Sequence, residues 1–116
     1  MHTHIVHWMA AIVFEHDGKQ LIKYGHTHDI SLSGATIYTE EVLHENEHLT
    51  LEIRIPRGKS INEWVVIEIR CRNGMSVAEE DHFRNQVQFL AFTGDGKQVL
   101  ENALRERGAS MEVRQQ

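Results

Sequence analysis

Asp29-Ile30-Ser31-Leu32-Ser33-Gly34 lies at the joint between two apolar runs, and what it does to the chain governs how every later segment is arranged. Gly34 has no Cβ and accepts the positive φ that a sharp reversal demands, while Asp29 and Ser31 carry short oxygens that fold back onto a turn's own N–H groups. The stretch is expected to form a rigid polar corner. Side chains held in this way also present a carboxylate and a hydroxyl outward at fixed geometry, which suits a planar, donor-rich group such as guanine.

On the amino-terminal side, Met9 to Glu15 and Lys19 to Asp29 read as two strands joined by Asp17-Gly18, a dipeptide that favours the primed turns of hairpins. The first eight residues mix histidine with apolar side chains and are either a frayed lead-in or the first part of a strand. On the other side, Ala35-Thr-Ile37-Tyr-Thr39 leaves the corner as a strand, and Glu40 to His48 is a polar connection. Leu49, Leu51, Ile53 and Ile55 then alternate with Thr50, Glu52 and Arg54 at the period of a half-buried strand, which Pro56 ends. Arg57 to Ser60 is read as a loop.

From Glu63 to Arg72, one face carries Val65, Ile67, Ile69 and Cys71, and the other Trp64, Val66, Glu68, Arg70 and Arg72. Asn73-Gly74 is a candidate turn, with an acidic loop from Met75 to His82 behind it. Phe83 to Phe92 is the last strand, with Val87, Phe89 and Ala91 on one face. The period then changes: Asp95 is placed to cap a helix with Val99, Leu100, Ala103 and Leu104 on one stripe, Arg105 and Arg107 near its end, and Gly108 as its stop. Ala109 to Gln116 reads as a frayed end. Six strands with short connections and one terminal helix imply an all-β fold, a six-stranded antiparallel barrel whose closure removes exposed edges and whose open end the helix covers.

In this order of elements, with Asp29-x-Ser31-x-x-Gly34 between the second and third strands, the sequence resembles a PilZ domain, the bacterial receptor module for cyclic di-GMP. The resemblance runs from about Trp8 to about Arg107, and the chain of 116 residues is expected to be a single domain with its core at about 8–107. It implies that Asp29, Ser31 and Gly34 contact guanine. It also implies two arginines, spaced Arg-x-x-x-Arg ahead of the first strand, that grip phosphate and stack on the bases, as a planar guanidinium fork is suited to do. Here the sequence departs from the family, because its first arginine is Arg54. Pairs four apart in the lead-in, such as Thr3 with His7, hold no such motif, and a neutral imidazole offers one donor where arginine offers five. Losing two charge-assisted contacts of roughly 1.5–3 kcal/mol each weakens binding by on the order of a hundredfold to ten-thousandfold.

Composition narrows the remaining classes. At 41% hydrophobic and 25% charged residues the chain supports one buried core without staples, and the lone Cys71 rules out an internal disulfide and fits a reducing, cytoplasmic setting. No apolar run reaches the ~20 residues that span a bilayer, and no leader pattern is visible, so no membrane association is expected. A net charge of −5 argues against a nucleic-acid polymer as partner. Protonating all nine histidines moves that charge from −5 to +4, so the field around the protein changes sign in mild acid.

Arg70 and Arg72, two apart on one strand face with Trp64, make a second candidate contact for the nucleotide. Arg54, Arg57 and Lys59 read as a solvated strand end and loop. His26 and His28 share a strand face, so with His2, His4 or His7 they compose a conceivable zinc or nickel site, although their spacing matches no metal motif. No catalytic motif is present, Cys71 falls on the inward face, and Glu79-Glu80-Asp81 reads as a solvated loop. The expectation is a receptor module without cofactor or resident metal, and not an enzyme, that binds cyclic di-GMP weakly and relays the signal to a protein partner. The alternative is a nucleotide-independent interaction module.

Overall fold

Asp17 and Gly18 adopt φ values of 53° and 76°, the left-handed pair that a two-residue primed turn requires. The hairpin they close joins β2 (Met9–His16) to β3 (Lys19–Ile30) in unbroken register from His16↔Lys19 to Met9↔His26. In the computed structural model of the chain, residues 3–44, 47–57 and 63–115 are described, with side chains described as far as Glu106. The other elements are β1 (His4–Ile5), β4 (Gly34–Thr39), β5 (His48–Pro56), β6 (Trp64–Ala78), β7 (Phe83–Phe92) and α1 (Gly96–Gln115).

Every pairing is antiparallel, and the order β3-β2-β5-β6-β7-β4 closes on itself through a β3–β4 pairing. The result is the expected barrel-like ring of six strands, with β1 added as a short seventh on β3. Alternation puts Ile12, Leu51 and Ile69 on one inward row and Ala10, Ile53 and Ile67 on the next, all buried. Burying an aliphatic side chain of this size contributes about 1.5–3 kcal/mol, so these rows are the ring's main source of stability. The lead-in resolves as strand: β1 pairs His4 with Ile30 and Ile5 with Asp29, and Thr27 then pins the chain behind it. Thr27 Oγ1 accepts the Trp8 N–H at 2.9 Å and donates to the Val6 carbonyl.

The terminal helix starts where expected, with the Asp95 carbonyl accepting the Val99 N–H at 3.0 Å, and packs Leu100 and Leu104 into the core. It does not stop at Gly108 but runs to Gln115. A helical glycine costs only about 1 kcal/mol relative to alanine, and the residues beyond it include alanine, methionine, glutamate and arginine, all good helix formers. Lys59 and His2 lie outside the described residues.

The larger correction concerns Asn73-Gly74, which is not a turn. β6 continues through it to Ala78, and the chain reverses instead at Glu79–His82, where the Glu79 N–H meets the His82 carbonyl at 2.9 Å. Asn73 is fully buried, and its Nδ2 donates to the carbonyls of Leu43 (3.2 Å) and His44 (3.0 Å) and to Ser76 Oγ (2.9 Å). Ser76 Oγ lies 2.6 Å from Asn85 Oδ1, and Asn85 Nδ2 donates to the Ile37 carbonyl at 3.0 Å. This polar belt ties β4, β6, β7 and the loop after β4 together, which a turn at Asn73 would abolish. Gly74 is absorbed as an extra residue where the β6–β7 register shifts between Asn73 and Met75. A second shift, between Arg70 and Cys71, turns Ala91 outward instead of inward.

Replacing Asn73 by alanine takes its donor from the His44 carbonyl, leaves the Leu43 carbonyl with Ser76 Oγ at 2.9 Å, and empties a fully buried polar site. The expected loss is about 1–3 kcal/mol of unfolding free energy, measured by urea denaturation; a turn residue at this position would give a near-neutral change.

Candidate functional site

The corner forms, by different means from those expected. The Ser31 N–H donates to the Gly34 carbonyl at 2.9 Å, and Ser31 Oγ accepts the Ser33 N–H at 3.2 Å and lies 3.2 Å from Ser33 Oγ. The Phe89 N–H donates to the Ser33 carbonyl at 2.9 Å, tying the corner to β7. Gly34 does not supply a positive φ: among the described residues only Asp17, Gly18 and Gly94 do. Glycine is required there by proximity, since a Cβ at Gly34 would lie 2.5 Å from the Val87 carbonyl oxygen. Asp29 does not fold back on the turn either. Its Oδ2 lies 3.0 Å from His28 Nδ1, and its side chain stays about a quarter exposed, at 26%.

The orientation of Asp29 follows from a bulge. The β3–β4 register shifts between Thr27 and Asp29, so His28 is the extra residue. Thr27 and Ile30 are buried, and the two residues between them, His28 and Asp29, both face outward. Strict alternation would have turned one of them into the core. The bulge delivers the carboxylate to the outer surface beside the corner.

Asp29, Ser31, Ser33 and Gly34 line one open cleft of about 370 Å³, facing Gly74, Gln86 and Gln88 of the neighbouring strands. Thr3 reaches the same cleft, because β1 carries the amino-terminal segment along the end of β3. Sequence reasoning found the corner but missed Thr3, Gly74, Gln86 and Gln88; the two glutamines stand two apart on β7, the one local signal that they share a face. Arg72 sits at the rim, its Nη2 donating to Gln88 Oε1 at 2.9 Å. Arg70 is exposed on the same side of β6 and does not line the cleft. Trp64 is removed from both: six residues of extended strand separate it from Arg70, about 20 Å. Its cationic neighbour is Arg54, 5.1 Å from the ring centroid, so the proposed arginine and tryptophan face does not exist as a unit.

The histidines gather around Tyr38. His26, His28 and His82 lie with ring centroids 5.6, 5.1 and 4.7 Å from it, and His7 lies 6.4 and 5.8 Å from His26 and His28. Among the described residues no three histidine, cysteine or acidic side chains converge in a way that would hold a metal ion. His82 is braced on both sides, Nδ1 by Asp81 at 2.7 Å and Nε2 by Glu79 at 2.9 Å. Two acceptors are satisfied together only when both ring nitrogens carry protons, and so Asp81 first, and Glu79 behind it, raise the His82 pKa above its ordinary 6.5. The same contact lowers that of Asp81 below 3.8. Cys71 is buried, and desolvation pushes its pKa up to about 12, which makes it an inert thiol. Among the described residues, no helix is long and apolar enough to cross a membrane.

With the geometry in place, three comparisons bear on it. The family model described as PilZ domain matches residues 8–106. The Bacillus subtilis inhibitor of motility MotI/DgrA superposes at a TM-score of 0.69 with 14% identity, over 90% of this chain and 49% of that one. The PilZ domain of CeSA from a cellulose-synthesizing bacterium superposes at 0.51 with 15% identity, over 84% of this chain and 88% of that one. This chain therefore spans about half the length of the motility inhibitor, and at such identities the likeness establishes the fold alone. No curated protein matches the sequence.

Two predictions follow from the geometry of this region. Gly34→Ala forces the β4–β7 seam apart and is expected to lower stability by about 1–3 kcal/mol, read as a fall in melting temperature. The His82 brace contributes fully between the ordinary values of 3.8 for Asp81 and 6.5 for His82. It is lost as pH rises through the elevated His82 value, or falls through the depressed Asp81 value. An NMR titration of the His82 ring should give a midpoint above 6.5, and Asp81→Asn should bring it down.

Proposed function

This chain belongs to the PilZ domain family, and we propose that it acts as a cyclic di-GMP receptor module whose ligand seats in the cleft beneath the Asp29-x-Ser31-x-x-Gly34 corner. The observation that carries the reading is the single cleft that Asp29, Ser31, Ser33 and Gly34 share. Its volume of about 370 Å³ falls within the range of roughly 300–1,000 Å³ typical of small-molecule sites. The outward Asp29 carboxylate offers acceptors to the N–H edge of guanine, and the serine hydroxyls and the Gln86 and Gln88 amides add adaptable partners. Arg72, held by Gln88 at the rim, is the cation best placed for a phosphodiester, with Arg70 beside it on the strand.

This sequence holds no Arg-x-x-x-Arg ahead of its first strand, and the reading expects a reduced affinity for that reason. Thr3, which lines the cleft, and His7 stand four apart and are both exposed, and on this reading they offer a hydroxyl and an imidazole in place of the family's two cations. On this reading the module is not an enzyme, needs no cofactor or resident metal, works in the cytoplasm and passes the ligand's presence to a protein partner. The absence of those arginines also favours a second reading, in which the fold serves as an interaction module that no longer responds to the nucleotide.

Calorimetry with cyclic di-GMP separates the two. The first expects a weak, saturable response that Asp29→Ala reduces at least tenfold. It also expects Thr3→Arg/His7→Arg to tighten binding by up to a hundredfold to ten-thousandfold, the loss attributed to the two absent contacts. Silence from the natural chain at millimolar ligand establishes the second reading.

A further inference from the structure

Four of the exposed apolar side chains border one pair of clefts. Met9, Ile22, Tyr24 and Val66 are 57%, 51%, 68% and 49% exposed, although they lie on the outer face of adjoining strands. The registers Val13↔Ile22, Ala11↔Tyr24 and Ala11↔Glu52, with Arg54↔Val66, place Ile22 and Tyr24 on β3 and Val66 on β6, with Ala11 and Val13 of β2 and Glu52 and Arg54 of β5 between them. They line two adjoining clefts, of about 630 Å³ and 380 Å³, which meet at Met9 and Tyr24 and are taken together as one trough. A connected apolar surface with tyrosine and methionine at its centre is the composition of an interaction site rather than of ordinary solvent-facing sheet.

The two halves of the trough differ in chemistry. The smaller is lined by Ala10, Ala11, Ile22 and Val66, with Glu52 and Arg54 adding one charge of each sign. The larger is walled by Tyr24, Tyr38, His26 and His82 and carries Glu40 and Asp81, with no lysine or arginine among its lining residues. Even with His82 protonated, Glu40, Asp81 and the adjoining Glu79 leave three carboxylates against one imidazolium. The nearest arginine across the sheet is Arg84, opposite Tyr38 in the β4–β7 register, and it does not line the cleft. Two phenol rings beside a net excess of carboxylates attract a cation through both the ring quadrupoles and direct charge.

We infer that this trough is a docking groove for a protein segment that presents an arginine or lysine next to a bulky apolar side chain, the cation entering the Tyr24, Tyr38 and Asp81 end and the apolar group the Ile22 and Val66 end. The inference goes beyond the nucleotide reading and does not depend on it, since the groove shares no lining residue with the Asp29 corner. It identifies the partner by chemistry: a basic and apolar segment, matched to a chain whose own net charge is −5.

The test is an NMR titration of the full chain with the capped dipeptide acetyl-Leu-Arg-amide, with acetyl-Leu-Glu-amide and agmatine in parallel. Expected are saturable shifts centred on Tyr24, Tyr38 and Asp81 with the arginine peptide, none with the glutamate peptide, and agmatine weaker than the arginine peptide by tenfold or more. Tyr24→Ala and Glu40→Gln, both at exposed positions, should each weaken the arginine peptide severalfold while leaving the melting temperature in place. Asp29→Ala, which reaches the trough only through His28, should change peptide binding by no more than a few-fold, and Tyr24→Ala should leave the cyclic di-GMP response unchanged, which keeps failure of one site distinct from failure of the other. Equal response to the two dipeptides, agmatine binding as tightly as the arginine peptide, or shifts lying elsewhere would overturn the proposal.

Discussion

Everything in this molecule hangs on the seam at which β3 meets β4 and the ring of strands closes. A sheet of six strands closes only if its strands tilt to the axis and stagger in register, and two close approaches, one on the β3–β4 pair and one on the adjoining β4–β7 pair, leave no room for a side chain. A Cβ on Gly25 would run into the Tyr38 carbonyl, and one on Gly34 into that of Val87. Between them the His28 bulge supplies the local twist that lets β3 bend while keeping Thr27 and Ile30 inside. One irregular residue therefore does two things. It permits closure, and it turns Asp29 outward beside the corner.

The seam also explains the amino-terminal segment, which has little intrinsic preference for order. Thr27, the last inward residue before the bulge, hydrogen-bonds with both Trp8 and Val6 and locks the lead-in against β3. Val6 and Trp8 are consequently buried, and β1 is carried past the corner so that Thr3 arrives at the cleft wall. Closure, burial of the lead-in and construction of the cleft are a single packing event. This short segment is nonetheless a small unit, and the stability of the ring comes mainly from the aliphatic rows of β2, β5 and β6.

What was legible in the sequence is what is decided locally. The Asp17-Gly18 hairpin depends on two dihedral angles, the Leu49 to Ile55 strand on strict alternation, and the helix stripe on spacing, and all three are found as read. The corner was legible too, although for partly wrong reasons: Gly34 is needed for close approach rather than for φ, and a lone sequence contains no record of the Val87 carbonyl above it. Asn73-Gly74 was misread because a turn and a bulge use the same dipeptide, and the choice between them was made by the distant carbonyls of Leu43 and His44. Arg70, Arg72 and Trp64 share a strand face, yet a rise of roughly 3.3 Å per residue pulls sequence neighbours apart faster than a helix does. The trough over Met9 and Tyr24 was invisible because it is assembled from several strands and none of its residues is unusual in its own segment.

The corner cleft and the trough share no lining residue, but they are not isolated from each other. Asp29 holds His28 at 3.0 Å, and the His28 ring lies 5.1 Å from Tyr38, which walls the acidic end of the trough. A ligand that takes the Asp29 oxygens changes what His28 can bond to, so the bulge that builds one site also borders the other. The size of any such influence is bounded by physics. A carboxylate has lone pairs for more than one donor, and one exposed histidine contact contributes on the order of 1 kcal/mol or less. An occupant of one site shifts an equilibrium at the other by no more than its differential interaction with the two states. Across a single imidazole that corresponds to a few-fold change in affinity, so a larger response requires a second contact route, which the amino-terminal segment at the corner is positioned to supply.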